Sequence, residues 1–455
     1  MSNYLFLRGN RNKSFFMNIA TSLEEKGHTC HLLKFELGEL LFKSNVSTLF
    51  VPFHVTKDEY PISNEELCRL SIYNITYRRD ILGSDVSAKE LKTYKRYMYF
   101  IDRYIESKDI QVICLFNGYH WIDQVAKYIA NKRGIEIVYF EDGLFRPYTV
   151  TCDHKGINQE SSIPRSPDYY DAIEIDRERM RLYLFQPELE QLKEKNESLF
   201  IVAFVKLLSM LGGLFRIHPN YYVHITFWQG LKYFVQKKFF SKRRPDRLEL
   251  PKEYVFVPFQ VSRDTQILYH SPTIKDMRDL LDLVYESVET INIEQNRNIE
   301  VLVKEHPEDM SRNNYQDLKK KYKNVQGVTF IKKYGVSKLL NNAAAVITIN
   351  STVGVEALAR NKKVITLGEA FYNIEGVVDH CSSPDKLTDV LKGTLQKPIN
   401  KTRIQKFIYY LRFIYQIEGS IQSRNKLTAE KIADRIDTNN QRKEREHEIC
   451  SRHTC

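Results

Sequence analysis

VICLFNGYHWIDQVAKYIANKRGIEIVYFEDGLFRP, residues 112–147, decides the fold. An apolar run ending in Asn-Gly (112–118) gives way to a segment whose apolar residues recur at helical spacing up to Gly134. A second β-branched and aromatic run, IEIVYF (135–140), follows at once. Strand, helix, strand is the signature of a parallel sheet. The charged stretch EDGLFRP (141–147) then stands where a strand leaves that sheet, the edge at which α/β proteins gather ligands. Glu141 and Arg146 are therefore candidate site residues.

The same alternation extends outward. YLFLRG (4–9) reads as strand and turn, SFFMNIATSLEEKG (14–27) as helix, CHLLKF (30–35) as strand, and LKTYKRYMYFIDRYIESKD (91–109) as helix. After residue 250 the pattern restarts with YVFVPFQ (254–260), TIKDMRDLLDLVYESVETI (273–291) and NIEVLVKEHP (298–307). VTFI (328–331), AVITINS (345–351) and KVITLG (363–368) continue it, with helical segments between. The expected fold is α/β, with two facing Rossmann-like domains and a helical aromatic-basic insertion. The expected limits are 1–189, 190–250 for the insertion, 251–396, and 397–455 for C-terminal helices and a charged tail.

Composition bounds the function. With 42% hydrophobic residues the chain belongs with folded proteins, and 68 Lys+Arg against 57 Asp+Glu give a net +11, which suits an anionic partner. No nucleic-acid-binding motif accompanies that charge, so no nucleic-acid partner is expected. Seven scattered cysteines form no C-x-x-C pair and suit a reducing cytoplasm. The start lacks the order of a signal peptide, so no export is expected. The most apolar window, LFIVAFVKLLSMLGGLF (199–215), is short for a membrane span and reads as a buried or interfacial helix.

Three further stretches carry chemistry. In TINSTVGVEAL, Ser351, Thr352 and Gly354 open a helix that holds Glu356 in its first turn, a natural phosphate cradle; ordinary helix capping reads as well there. KEHP places Lys304 and His306 at a strand end, where both suit an anion. VPFQVSRDTQI sets Gln260, Asp264 and Gln266 together, a set suited to sugar hydroxyls or an anomeric carbon. A capped turn accounts for Asp264 equally, though not for both glutamines.

Together with LFNG (115–118), the Gly9 turn with Phe15-Phe16, EDGLFRPYTVT followed by GIN (156–158) and Pro164-Arg165, and LGEAFYNIEG (367–376), these motifs resemble the capsule polysaccharide biosynthesis proteins, specifically the KpsS-type transferases of the sugar Kdo. The resemblance covers roughly residues 4–380 in order. It implies a retaining β-Kdo glycosyltransferase of GT-B-like fold that uses CMP-Kdo and starts the capsule linker on a lysophosphatidylglycerol acceptor. It places the enzyme in the cytoplasm, peripheral at the inner face of the cytoplasmic membrane, with other capsule assembly proteins as possible partners. No metal and no cofactor beyond the donor are expected.

Breaking the bond to CMP leaves positive charge on the sugar ring and negative charge on the phosphate. By resemblance, Asp264 is the nucleophile and Glu141 the base that activates the acceptor hydroxyl, with the exchanged roles left open. Lys304, His306, Ser351, Thr352, Gly354, Glu356, Gln260 and Gln266 are expected on the donor. Arg146 is expected on the Kdo carboxylate or in an ion pair with Asp142 or Glu141. Asn117, Gly118, Asn158 and Arg165 are expected on the acceptor. The aromatic-basic run 220–247 is expected at the membrane surface. A non-catalytic capsule assembly or export factor, and a transferase of another CMP-activated acidic sugar, are the alternatives.

Overall fold

The structure is a computed structural model and describes residues 1–7, 14–193, 199–219, 221, 244–246, 248–309, 313, 315–422 and 426–438. The Gly9 turn, most of the aromatic-basic run and the charged tail lie outside these residues.

The chain divides into two units. The first takes Met1–Ile157, Arg177–Val223 and Arg412–Cys455; the second takes Asn158–Asp176 and His224–Leu411. These limits differ from the linear ones expected, because two short stretches leave the sequence neighbourhood in which they were made. Asn158–Asp176 packs into the second unit, where Tyr170 meets Phe407 at 5.2 Å and Asp171 pairs with Arg403 at 2.5 Å.

In the first unit β1 (Asn3–Leu7), β2 (Thr29–Lys34), β3 (Ser47–Phe50), β4 (Val112–Phe116) and β5 (Glu136–Asp142) are parallel. β6 (Thr149–Asp153) pairs antiparallel with β5. In the second unit β7 (Tyr254–Pro258), β8 (Glu300–Lys304), β9 (Val328–Ile331), β10 (Ala345–Thr348), β11 (Val364–Thr366) and β12 (Asp379–His380) are all parallel. The last strand, β13 (Ile417–Glu418), returns to the first unit and pairs antiparallel with β6. The sheet orders are β13-β6-β5-β4-β1-β2-β3 and β12-β11-β10-β7-β8-β9. Each sheet reverses its direction of growth beside its first strand, between β1 and β4 and between β7 and β10. A doubly wound sheet binds ligands at such a crevice.

The strands read as apolar runs because both faces are covered. In the first unit the helix Ser14–Glu25 buries Phe15 and Phe16 on one face, their rings 5.3 to 6.4 Å from Phe6, Phe116 and Phe140. Each such ring contributes about 1.5–3 kcal/mol of burial. The helix Trp121–Arg133 follows β4 and stops at Gly134, whose φ of 67° lets its N–H reach the Ala130 carbonyl. In the second unit the helix Met277–Gln295 buries Leu280, Leu281, Val284 and Val288 against Val255, Val301 and Val303.

The expected C-terminal helices begin at Lys401. Lys401–Tyr409 is helical, a wider turn covers Tyr410–Tyr415, and β13 follows. Residues 427–438 are helical, as the apolar spacing of AEKIADRIDT predicts.

Candidate active site

In the first unit the site grows from the ends of β4 and β5. Asn117 and Gly118 turn the chain out of β4 with φ of 69° and 89°. The backbone N–H of Asn117 donates to the Phe140 carbonyl at 2.8 Å. Its side-chain Nδ2 donates to Glu141 Oε2 at 2.5 Å, while Oε1 accepts from the Asp142 N–H at 2.9 Å. Removal from water, then the neighbouring Asp142 charge, push the Glu141 carboxyl up to about 7; the Asn117 and Asp142 hydrogen bonds and Arg146 pull the other way. A carboxyl poised there takes and gives a proton near neutral pH, which general-base work needs.

EDGLFRP is a hairpin. β5 runs two residues beyond the apolar stretch, so Glu141 and Asp142 are strand residues paired with Thr151 and Val150. The Gly143 N–H donates to the Thr149 carbonyl at 3.0 Å, and that of Phe145 to Thr149 Oγ1 at 3.1 Å. A Cβ on Gly143 would lie 2.1 Å from Thr149 backbone oxygen, so the clearance serves the chain's own crossing. Arg146 is exposed and its Nε donates to the Gly143 carbonyl at 3.1 Å. It makes no ion pair among the described residues, so the pairing with Asp142 or Glu141 does not form. From the far end of the chain Gln416 braces the turn, accepting from the Leu144 N–H at 3.0 Å and donating to Thr151 Oγ1 at 2.8 Å.

In the second unit the strands' C-terminal edge gathers Gln260, Lys304, His306, Ser351 and Thr352. Asp264 is exposed and caps the helix Thr265–His270, its Oδ1 accepting from the Gln266 N–H at 3.0 Å and from Thr265 Oγ1 at 3.2 Å. Oδ2 makes no hydrogen bond among the described residues. Lys304 is buried, its Nζ 3.4 Å from the Lys332 carbonyl; burial pushes its ammonium down, against Asp246 and Glu305. His306 accepts the Glu308 N–H on Nδ1 at 3.2 Å, so the neutral ring carries its proton on Nε2, the form that donates. Ser351 Oγ accepts from the Val353 N–H at 3.2 Å, and Thr352 starts the helix Val353–Leu358, which holds half-buried Glu356. Gln266 is half-buried, and its carbonyl accepts from Asn350 Nδ2 at 2.9 Å.

Two expectations are corrected here, and two residues expected in the first unit fall in the second. Gln260 is a lock: its Nε2 donates to Asn350 Oδ1 at 2.9 Å, and its Oε1 accepts from Thr348 Oγ1 and the Asn350 N–H, both at 3.1 Å. Its amide is consumed in joining β7 to β10 and is not offered to a sugar. Gly354 gives clearance to Tyr372, whose hydroxyl would sit 2.6 Å from an added Cβ and donates to the Ser351 carbonyl at 2.5 Å. Asn158 and Arg165, expected beside the acceptor, belong to the second unit. There the Arg165 guanidinium donates to the carbonyls of Phe371 and Gln159, while the Asn158 carbonyl accepts from the Ser161 N–H at 3.1 Å.

Sequence reasoning missed Gln416, Asn350 and Tyr372 as the groups that hold these turns. Tyr372 lies inside a quoted motif, but nothing in LGEAFYNIEG says which turn it supports. A cleft of about 360 Å³ in the first unit is lined by Arg179, Glu188, Arg412, Glu418, Lys431 and Arg435. It contains none of the sequence-predicted site residues, and Arg179–Glu188 at 2.6 Å and Lys431–Glu418 at 3.0 Å already pair its charges.

Two Rossmann-like units, one with Glu141 at the end of β5 and one with Lys304, His306 and two hydroxyls along its sheet edge, define an α/β protein of two parallel-rich sheets. The sequence pattern described as capsule polysaccharide biosynthesis protein matches residues 111–415, and the chain belongs to that family. It is 29% identical to protein FixF of Sinorhizobium fredii over 72% of this chain and 65% of FixF. It is 28% identical to the capsule polysaccharide export protein KpsS of Escherichia coli over 59% of this chain and 70% of KpsS. To the capsule polysaccharide modification protein LipB of Neisseria meningitidis serogroup A it is 25% identical, over 82% and 84%. The chain thus spans less than two thirds of FixF. Among solved structures it is similar to Thermosulfurimonas dismutans KpsC, beta Kdo 2,7 transferase, at 18% identity and a TM-score of 0.34, covering 79% of this chain and 90% of that one. The UDP-GlcNAc 2-epimerase of Methanocaldococcus jannaschii follows at 13% and 0.33, covering 96% and 100%.

Proposed function

We propose that this protein is a retaining β-Kdo transferase that moves Kdo from CMP-Kdo to a lysophosphatidylglycerol acceptor and so starts a capsule polysaccharide linker. Membership of the capsule biosynthesis family supports the setting, and the resemblance of the motifs supplies donor and acceptor. The observation that carries the chemistry is Glu141, a carboxyl held by Asn117 and tuned to about 7 at the end of a rigid strand.

The reaction runs in two steps. A carboxylate oxygen of Asp264 attacks the anomeric carbon of Kdo, and the bond to the CMP phosphate breaks with its electron pair leaving on CMP. The acceptor hydroxyl then attacks the same carbon, its proton passes to Glu141, and the bond to Asp264 breaks. Lys304, His306 and the Ser351-Thr352 turn meet the departing phosphate, and Arg146 meets the Kdo carboxylate. The reaction takes place at the inner membrane surface, where the lipid acceptor resides.

Incubating the protein with CMP-Kdo and lysophosphatidylglycerol tests the reading. Free CMP over many turnovers and a lipid heavier by one Kdo are expected from the wild type; with Glu141→Gln the heavier lipid is absent and CMP release stops at one equivalent. The export role in the name of KpsS favours a second reading, a non-catalytic assembly factor. That reading stands if no CMP is released with any lipid or glycan acceptor.

A further inference from the structure

The helix Leu199–Leu214 is attached along one narrow stripe. Val205 is buried, and Gly38 packs so tightly on this helix that an added Cβ would lie 2.3 Å from the Val205 carbonyl and 2.8 Å from Ser209 Oγ. Gly212 is pressed in the same way, 2.4 Å from His218 Nε2 and 2.9 Å from Leu37 Cβ. Just beyond the helix, buried Tyr221 stacks on Trp121 at 5.7 Å and donates to the Phe35 carbonyl at 3.0 Å. The helix is therefore fixed at several points to the first unit.

Its outer stripe is apolar and in water. Phe200 is 78% exposed, Phe204 42%, Leu207 40%, Leu214 73% and Phe215 69%, at the spacing of one helical face. Leu40 and Leu41, in the Leu37–Leu41 turn beneath the helix, are exposed as well. A monomeric protein seldom leaves so long an apolar ridge uncovered.

We infer that this ridge docks on an anionic phospholipid bilayer, with Phe200, Phe204, Leu207, Leu214 and Phe215 entering the headgroup boundary. No helix among the described residues is long and apolar enough to cross a membrane, so the contact is a surface one. Charge selects the occupant. Lys206 and Arg216 are exposed on and beside the ridge, and from residue 206 to 247 the sequence carries nine Lys or Arg against the single carboxylate Asp246. That balance attracts phosphatidylglycerol or another acidic lipid and repels a second copy of the chain.

The inference rests on the lipid-acceptor reading for its purpose, and its test is separate. The full chain is sedimented with vesicles of phosphatidylcholine alone and with vesicles containing phosphatidylglycerol, beside the double variant Phe204→Asp/Leu207→Asp. Both residues are exposed, so the variant keeps its circular dichroism spectrum and its release of CMP with a water-soluble acceptor. Wild-type binding to the acidic vesicles, weakened at least about tenfold in the variant and by added salt, is the expected result. Equal binding by both chains overturns the inference. So does a wild type that ignores vesicles and sediments as a dimer the variant abolishes, or one that ignores vesicles while the variant melts at lower temperature, which marks a ridge covered by the chain itself.

Discussion

Glu141 sits between opposing influences, and the side that wins sets its pH behaviour. Loss of water and the Asp142 charge outweigh two hydrogen bonds and Arg146, so the folded carboxyl titrates at about 7 against an ordinary 4.5. The acceptor step should rise with pH through an apparent value near 7. Asn117→Ala removes a donor that holds the charged form, so the rise should move to higher pH, read from the pH dependence of turnover. The same shift bears on stability: a proton is held more tightly in the folded chain, so the cost of ionisation is absent below about 4.5 and fully present above about 7. Glu141→Gln should therefore melt above the wild type at pH 8, and the gap should close as the pH falls toward 5. A gap that widens toward acid would contradict the assignment.

Elements carry these side chains, and two glycines show how tightly. Gly354→Ala drives a methyl into Tyr372 and should cost about 1–3 kcal/mol, seen as a lower Tm. In a Tyr372→Phe background the nearest atom is gone, so the same substitution should cost less; an identical cost in both backgrounds would remove Tyr372 as the reason for the glycine. What was legible at this scale follows from range. The run from Val112 to Phe140 declares strand, helix and strand because each period is local and each helix end has its own signal, Gly134 among them. The β5–β6 hairpin was hidden, because Thr149 to Asp153 pairs antiparallel at an edge where a parallel pattern leads one to expect an open loop. β13 was hidden for a different reason. Two residues give no period, and Gln416 reaches a turn 272 residues away. Gln260 was misread as a ligand group because a polar residue after an apolar strand looks the same whether it meets a sugar or Asn350.

At the scale of the whole molecule the chain weaves between its units: Asn158–Asp176 and the stretch ending at Leu411 belong to the second, and the residues from Arg412 onward to the first. Linear domain limits miss this because the crossing segments are short and held by pairs such as Asp171–Arg403. In the proposed reaction Glu141 comes from the first unit and Asp264 from the second. The most direct test of that division is the intact mass of Glu141→Gln mixed with CMP-Kdo and no acceptor. The first step proceeds without the base and the second cannot, so the protein should gain the mass of one Kdo with one equivalent of CMP released. Peptide fragmentation should place that mass on Asp264, and the added Asp264→Ala change should abolish it. An adduct on another residue, or full transfer to the lipid by Asp264→Ala, would contradict the account.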